Sequence, residues 1–447
     1  MLGPEDHVWR TQGRPEMTNA RSKERVASCH PFFYPAISMK GMKKLFPALA
    51  TALLLVVAVS CAPREKHAKY VFYFIGDGMG ATHVAAAEAY LAQERGVIGM
   101  DPLCFTQFPV MGEAVSCSAS NIITDSSAAG TALSTGEKTT NGMLCIAPDS
   151  TTVLKSISYR IHDAGYSVGV MSTTPINHAT PAAFFGHNIK RGNYYAIGQE
   201  LPATGFEFFA GGGLYHPNGK EGDAEVNLYD LIAEGGYTLA YGYEDFKAKQ
   251  DADHIVLVQA EGSEEICPYA LGRPEGALTL SQIVEAAVTV LERNPKGFFL
   301  MAEGGLIDWT AHSQDLAGTI FETLDFDQAI SVAKAFYDKH PEETLIVVTA
   351  DHETGGLALG KRGYNYDLTV IDKVKNASAS TDVEKYMNDP QSIDSINVEA
   401  RVGWTTYSHC GGPVPVWAIG VGAERFAGRQ DNTDLPKKIC AAMGVAF

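Results

Sequence analysis

Glu303, Asp308 and His312 have the side chains and the spacing of a metal site. Asp308 and His312 are four residues apart, so on a helix both side chains project from the same face. A carboxylate and an imidazole on one face suit a borderline cation such as zinc. A single pair of this kind is more often an ordinary surface pair, so it needs support from other parts of the chain.

Three apolar runs that are typical of buried strands each end in a carboxylate that could bind metal. The runs and the residues that follow them are 70–76 with Asp77, 297–302 with Glu303, and 344–350 with Asp351 and His352. In open parallel α/β sheets, ligand sites lie at the carboxyl ends of the strands. The repeated pattern therefore favours a metal site over a set of unrelated surface carboxylates.

The segment 124–132 is rich in small residues and has the composition of a helix start. A serine there, such as Ser126, would lie beside free backbone N–H groups and the positive end of the helix dipole, where a phosphate can be held. The alternative interpretation is a simple N-cap on an alanine-rich helix, which would be favoured if the segment stood alone.

The chain has 447 residues, 45% of them hydrophobic, which is enough for one large domain with insertions or for two domains. From position 70 to position 447, strand-like and helix-like segments alternate, which predicts a doubly wound α/β fold with a mostly parallel central sheet and helices on both faces. The pattern predicts helices over 281–293 and 316–337 and short strands over 168–171 and 414–419. Two stretches, at about 205–276 and 360–404, break the alternation, and we interpret them as insertions that form a cap or crown at the entrance.

The formal net charge of −17 would repel an anionic substrate at long range, but exposed charges are screened beyond about 8–10 Å in physiological salt. An acidic chain of this kind argues against nucleic acid as a specific partner. No run reaches the roughly 18 consecutive apolar residues of a membrane span. We therefore expect contact with a membrane only through a covalent lipid.

Residues 39–61 have the pattern of an export signal, with basic residues before a short apolar run and small residues before Cys61. The pattern resembles a bacterial lipoprotein signal with the lipid on Cys61, and cleavage without lipid is the alternative. We expect residues 1–38 to be disordered or absent from the natural product, and residues 62–69 to be a solvated tether. The mature protein is then expected in the periplasm or anchored to the outer membrane.

Six motifs together resemble the alkaline phosphatases in order and approximate spacing. They are Asp77 to Gly80, Asp125-Ser126, the run from His178 to Arg191, the segment from Glu303 to His312, Asp351-His352, and Ser408-His409. The resemblance covers nearly all of residues 70–447, the expected catalytic domain, and is weakest in the two insertions. It implies metal-dependent hydrolysis of phosphate monoesters through a covalent phosphoserine, with release of inorganic phosphate.

The resemblance also implies a role for each matching residue and a set of two Zn²⁺ and one Mg²⁺. One zinc would be held by Asp308, His312 and His409, the second by Asp351, His352 and Asp77, and the magnesium by Glu303 and Thr180, with Asp77 bridging toward it. Ser126 matches the nucleophile, although Ser127 directly follows it, and Arg191 matches the arginine that binds two phosphate oxygens. His178 and Trp309 stand near the magnesium site, where we expect His178 to orient other groups rather than bind the metal.

Two other functions are open at this point. A phosphodiesterase of the same superfamily typically lacks the third metal site and the arginine, whereas Glu303, Thr180 and Arg191 are all present. A non-catalytic surface lipoprotein that binds phosphate or glycans would lack at least one ligand, and none is missing. The expected partners are small phosphate monoesters, and family precedent makes a homodimer compatible with the sequence.

Overall fold

The computed structural model describes residues 66–220, 226–260, 265–361, 363–376 and 380–447. The predicted signal over 39–61 and the extension before it lie outside the described residues, as does the first half of the predicted tether. Among the helices of the described segments, none has the length and apolar character that crossing a membrane requires.

The described residues form twelve strands. They are β1 (Tyr70–Gly76), β2 (Val110–Val115), β3 (Ser167–Ser172), β4 (Phe208–Gly211), β5 (Thr238–Tyr241), β6 (Ile255–Val258), β7 (Phe298–Gly304), β8 (Thr344–Ala350), β9 (Glu353–Thr354), β10 (His409–Cys410), β11 (Val414–Gly420) and β12 (Gly428–Asp431). The apolar runs before the three predicted ligand segments are β1, β7 and β8. The predicted short strands over 168–171 and 414–419 correspond to β3 and β11.

Ten of these strands form one sheet, in the order β12-β2-β11-β8-β1-β7-β3-β4-β6-β5. Neighbouring strands are parallel throughout, except that β11 runs antiparallel to both β8 and β2. The predicted mostly parallel α/β sheet is therefore confirmed. β1, β7 and β8 are buried along their whole length, as parallel strands covered on both faces should be.

Fourteen α-helices accompany the sheet in the described residues. They are α1 (Ala81–Glu94), α2 (Ser126–Thr135), α3 (Ile157–Asp163), α4 (Ala179–Ala182), α5 (Tyr194–Gly198), α6 (Leu228–Glu234), α7 (Tyr243–Lys249), α8 (Leu280–Leu291), α9 (Leu306–His312), α10 (Leu316–Lys339), α11 (Asp372–Lys375), α12 (Ser380–Met387), α13 (Pro390–Ala400) and α14 (Asp434–Met443). The predicted helices over 281–293 and 316–337 correspond to α8 and α10.

Successive side chains of β1 show that both faces of the sheet are covered. Phe72 packs against Phe336 of α10, and Phe74 packs against Phe326 of the same helix. Tyr73, between them, packs against Phe184, which follows α4. Because neighbouring residues of a strand point to opposite faces, α10 and the segment after α4 lie on different sides of the sheet.

The two stretches that break the sequence pattern are built differently. The stretch at about 205–276 supplies β4, β5 and β6, which form one end of the sheet. Each of these strands has only four residues, and the glycine- and tyrosine-rich composition around them hides the strand pattern. The stretch at about 360–404 contains α11, α12 and α13, which pack with α1 and the start of α10 around a second apolar cluster.

Candidate active site

Asp77, Asp351 and Glu303 meet at the carboxyl ends of three neighbouring strands. β1 lies between β7 and β8, so that Ile75 pairs with Glu303 and the last residues of β1 and β8 pair with each other. Asp77 and Asp351 are thus the first residues after two adjacent strands. All three carboxylates are completely buried. The register of the sheet therefore brings together three groups that lie far apart in the sequence.

Several oxygens of this pocket lack a hydrogen-bond partner among the described residues. They are both carboxylate oxygens of Asp77, Oδ2 of Asp351, Oε1 of Glu303 and the hydroxyl of Thr180. Buried polar groups are nearly always paired, and an unpaired buried carboxylate is strongly unfavourable. Carboxylate oxygens are common ligands of divalent cations, and a carboxylate and a hydroxyl together suit a hard cation. The pocket therefore fits bound metal ions.

His352 completes the first group of candidate ligands. Its Nε2 lies 3.4 Å from Oδ1 of Asp77 and 3.2 Å from Oδ2 of Asp351. Asp351 is oriented through its other oxygen, which accepts the backbone N–H of Gly78 at 3.1 Å and that of His352 at 2.9 Å. Two carboxylates and an imidazole are a ligand set that zinc accepts.

Asp308, His312 and His409 form the second group of candidate ligands. Nε2 of His312 lies 3.4 Å from Oδ2 of Asp308 and 3.2 Å from Nε2 of His409. Nε2 of His409 lies 3.7 Å from Oδ1 of Asp308. Each imidazole is fixed through its Nδ1, which lies 2.7 Å from the Tyr407 carbonyl in His312 and 2.8 Å from the Thr124 carbonyl in His409. This arrangement leaves Nε2 of both histidines for a metal.

The two groups touch each other. The rings of His352 and His409 stack with their centroids 3.6 Å apart, and Asp308, His352 and His409 are themselves close enough to hold one ion. Thr354 connects the groups, because its hydroxyl donates to Oδ1 of Asp308 and lies 3.3 Å from Nδ1 of His352. Two metals bound here would be close neighbours, as in enzymes that use a pair of metals in phosphoryl transfer.

Burial sets the protonation of these groups. It raises the pKa of Asp77 well above its usual range, that of Asp351 to about 6 and that of Glu303 to about 7, and neighbouring carboxylates add to each shift. Burial also lowers the pKa of His352 and of His409 to about 4. The two imidazoles are therefore neutral at pH 7, as metal binding requires, and a cation would relieve the crowding of carboxylates.

Glu303 lies among hydroxyl groups. Its Oε2 accepts a hydrogen bond from Ser172 and another from Oγ1 of Thr174 at 3.2 Å. Its Oε1 and the hydroxyl of Thr180 are the unpartnered atoms of this corner. Oxygen ligands without imidazole are what magnesium prefers, so this corner differs in character from the two histidine-containing groups.

Ser126 is the first residue of α2, and Asp125 is the N-cap. Oδ1 of Asp125 accepts the backbone N–H of Ala128 at 3.0 Å, as an N-cap side chain does. Oγ of Ser126 lies 3.3 Å from Nε2 of His352. Ser127 instead donates to Oδ2 of Asp125 at 2.8 Å. Of the two adjacent serines, Ser126 is thus the one that faces the ligand groups.

Arg191 is held by two partners near this helix start. One guanidinium nitrogen, Nη1, donates to Oδ2 of Asp125 at 3.2 Å, and Nη2 lies 3.2 Å from Nε2 of His178. Burial, assisted by the charge of Arg191, lowers the pKa of His178 to about 3, so the imidazole is neutral and can accept that hydrogen bond. The ring of His178 packs edge-on against Trp309, with centroids 5.8 Å apart. His178 therefore orients Arg191 in this structure.

Sequence reasoning did not assign roles to several supporting residues. Asp125 could have been recognised, since an aspartate directly before a run of small residues is a usual N-cap. Thr354, Ser172 and Thr174 act through hydroxyl groups that touch Asp308 or Glu303. Their positions after β8 and at the end of β3 gave a weak signal, because single hydroxyl side chains carry no spacing pattern.

The chain matches the family model described as alkaline phosphatase over residues 68–211 and 207–445. It is 30% identical over 424 residues to alkaline phosphatase 3 of Bacillus subtilis, covering 84% of this chain and 89% of that protein. It is 27% identical over 448 residues to the streptomycin-6-phosphate phosphatase of Streptomyces griseus, covering 89% of this chain and 96% of that protein. Both relatives are thus matched over most of their length.

The chain is also similar to solved structures of alkaline phosphatases. The alkaline phosphatase of the Antarctic bacterium TAB5 is 29% identical, with a TM-score of 0.70, and the match covers 86% of this chain and all of that one. The cold-active alkaline phosphatase of Shewanella sp. is 29% identical, with a TM-score of 0.71, over 84% of this chain and 99% of that one. A variant of the TAB5 enzyme was solved with magnesium in its M3 site.

Proposed function

The chain belongs to the alkaline phosphatase family, and from this premise we propose which of its residues carry out the reaction. The enzyme hydrolyses phosphate monoesters with the help of bound divalent metal ions, through a covalent phosphoserine. We assign the phosphoserine to Ser126. The observation that carries the assignment is the position of the Ser126 hydroxyl, 3.3 Å from His352 and beside the buried carboxylates that lack partners.

We propose two zinc ions and one magnesium ion as the metals. Zinc suits the two groups that combine imidazole and carboxylate, which are Asp308, His312 and His409 in one group and Asp77, Asp351 and His352 in the other. Magnesium suits the oxygen-only corner of Glu303 and Thr180, and Asp77, whose carboxylate oxygens both lack a partner among the described residues, would serve as a further ligand. When bound, such metals lower the pKa of a coordinated hydroxyl or water and stabilise charge on the attacking and leaving oxygens.

The residues of the chain bind and orient the phosphoryl group. Oγ of Ser126 forms the bond to phosphorus while the ester oxygen leaves, and water later cleaves the phosphoserine and releases inorganic phosphate. The backbone N–H groups at the start of α2 favour the negative phosphoryl oxygens. Arg191 supplies a planar fork that can bind two of these oxygens, and Asp125 and His178 hold it in orientation before substrate arrives.

The proposal is tested by metal analysis together with hydrolysis of p-nitrophenyl phosphate before and after chelation. We expect zinc and magnesium in the purified protein and loss of turnover when they are removed. Ser126→Ala should keep its metals yet form no phosphoenzyme, and its turnover should fall by more than about 10³-fold. Full activity after complete metal removal, or in Ser126→Ala, would contradict the assignment. Turnover of a diester such as bis-p-nitrophenyl phosphate should be far slower than turnover of the monoester.

We also propose that the protein is exported to the periplasm or the outer membrane. The part of the signal before Cys61 would be removed, and Cys61 would carry a lipid as the first residue of the mature protein. The support is the sequence pattern of that segment. Mass spectrometry of the mature N-terminus would show a lipidated Cys61, and an unmodified terminus would leave simple cleavage. By family resemblance we propose a homodimer, and a monomeric mass in light scattering would contradict it.

A further inference from the structure

A cavity of about 670 Å³ lies beside the candidate active site, on the side of Trp309. Trp309 lines this cavity, and its ring also packs against His178, which contacts Arg191. A chain of contacts through these two side chains therefore connects the cavity wall to Arg191. The volume is within the range of about 300–1,000 Å³ that accommodates organic ligands of moderate size.

The walls combine apolar and aromatic side chains with polar ones. Together with Trp309 they include Pro268, Tyr269, Leu271, Val383 and Met387. Tyr269 and Leu271 belong to the segment before α8, and Met387 ends α12, so the cavity lies between parts of both predicted insertions and α9. An aromatic ring is a ligand that such walls can bury.

The charged groups of the walls are all acidic. Glu384 and Asp315 line the cavity, and no lysine or arginine does so among the described residues. Asp315 is buried, and its Oδ2 has no hydrogen-bond partner in the described part of the chain. A ligand group with a negative charge would meet two carboxylates and no counter-charge, whereas a neutral group or an amine would not be repelled.

The walls are fixed by buried polar contacts. The hydroxyl of Tyr386 donates to Oδ1 of Asp315 at 2.7 Å, which attaches α12 to the start of α10. Arg273 donates to both carboxylate oxygens of Asp325 in α10 at 2.6 and 2.9 Å, and its Nε donates to the Pro268 carbonyl at 3.1 Å. Hydrogen bonds therefore attach both walls contributed by the insertions to α10.

We propose that this cavity binds the leaving group of the substrate and that it selects an aromatic group without negative charge. The inference rests on the proposed phosphomonoesterase function, because the cavity acts on the organic part of the same ester. Trp309 and His178 connect the cavity to Arg191, the aromatic and apolar part of its walls can contact a ring, and its carboxylates disfavour anionic substituents.

The first test measures binding of two non-hydrolysable analogues, phenylphosphonate and methylphosphonate, as competitive inhibitors of p-nitrophenyl phosphate hydrolysis. Met387→Ala should weaken phenylphosphonate about 5- to 10-fold and leave methylphosphonate unchanged. The control is Met100→Ala, which removes an exposed methionine that does not line the cavity. Equal effects of Met387→Ala on both phosphonates, or none on either, would overturn the inference.

The second test concerns charge and uses phenyl phosphates with a para methyl, aminoethyl or carboxylate group. The intact enzyme should give the carboxylate ester a kcat/KM at least about 5-fold below the other two. Glu384→Lys should close that gap, whereas Asp382→Lys, which makes the same change on α12 outside the cavity, should not. Equal kcat/KM values for the three esters in the intact enzyme would refute charge selection.

A protein without phosphatase activity and a phosphatase that does not use the cavity give different results in these tests. Absence of any phosphate release from p-nitrophenyl phosphate by the metal-loaded protein would refute the proposed function itself. Vigorous hydrolysis of all three phenyl phosphates, with no dependence on Met387 or Glu384, would leave the enzyme assignment standing and refute the role of the cavity.

Discussion

Removal of the Arg273 side chain should destabilise the protein far more than removal of an ordinary surface lysine. Arg273 and Asp325 are 13% and 6% exposed, and the guanidinium makes two hydrogen bonds to the carboxylate. A second buried carboxylate, Glu322, lies nearby, and burial together with the charge of Asp325 raises its pKa to about 8. Without Arg273, two acidic groups would share a desolvated site with no cation.

The expected loss for Arg273→Ala is about 3–5 kcal/mol in the free energy of unfolding, which is typical when one partner of a buried ion pair is removed. The matched control is Lys373→Ala, which breaks an ion pair with Glu399 whose side chains are 60% and 46% exposed. Exposed pairs of this kind contribute about 0–1 kcal/mol. Urea unfolding followed by circular dichroism measures both losses on one scale.

The pH dependence gives the experiment a second readout. The pKa of Glu322 is raised in the folded protein, so the folded state binds its proton more tightly than the unfolded chain. The loss of stability caused by Glu322 is therefore absent below the pKa of a glutamate in the unfolded chain, about 4.5, and it grows as the pH rises. The charge of Arg273 lowers the pKa of Glu322, so Arg273→Ala should raise that pKa further, and its deficit should be smaller at pH 5 than at pH 9. A loss no larger than that of Lys373→Ala, at any pH, would refute this reasoning.

Three further predictions concern single residues. Arg191→Lys keeps the charge but loses the planar fork, so kcat/KM for p-nitrophenyl phosphate should fall about 10- to 100-fold, and an unchanged value would mean that bidentate binding is not used. Thr354→Val removes the hydroxyl that orients Asp308, and competition with a chelator should show zinc affinity lowered about 10- to 100-fold, against no change if the hydroxyl is dispensable. Burial raises the pKa of Asp327 to about 6, so this group costs stability as the pH rises from about 4 to about 6. Asp327→Asn should therefore gain about 1–3 kcal/mol relative to the intact protein between pH 4 and pH 7 in urea unfolding, and a pH-independent difference would contradict this.

Much of the sheet could be predicted because its central strands are continuous apolar runs. β1, β7 and β8 each have seven residues and full burial, so hydrophobicity alone marks them and their final carboxylates. β4, β5 and β6 have only four residues each. Their strand character comes from pairing with neighbours in the sheet, which a local pattern does not contain.

Some site residues could likewise be recognised from a local pattern, whereas the contacts of others depend on the folded chain. Asp308 and His312 have a helical spacing that could be read directly, and α9 places both at the pocket. The closeness of His352 and His409, whose rings stack, depends on the path of the chain through more than one element. The hydrogen bond between Arg191 and His178 likewise joins two loops, and only the folded chain sets its geometry.

The antiparallel course of β11 has a consequence for synthesis of the protein. Because β11 runs against its neighbours, its beginning rather than its end reaches the ligand edge, and His409 lies in β10, shortly before that beginning. A nascent polypeptide can expose every carboxylate of the pocket and still lack one imidazole. The arrangement proposed for the two zinc ions can therefore be completed only after synthesis has passed position 409.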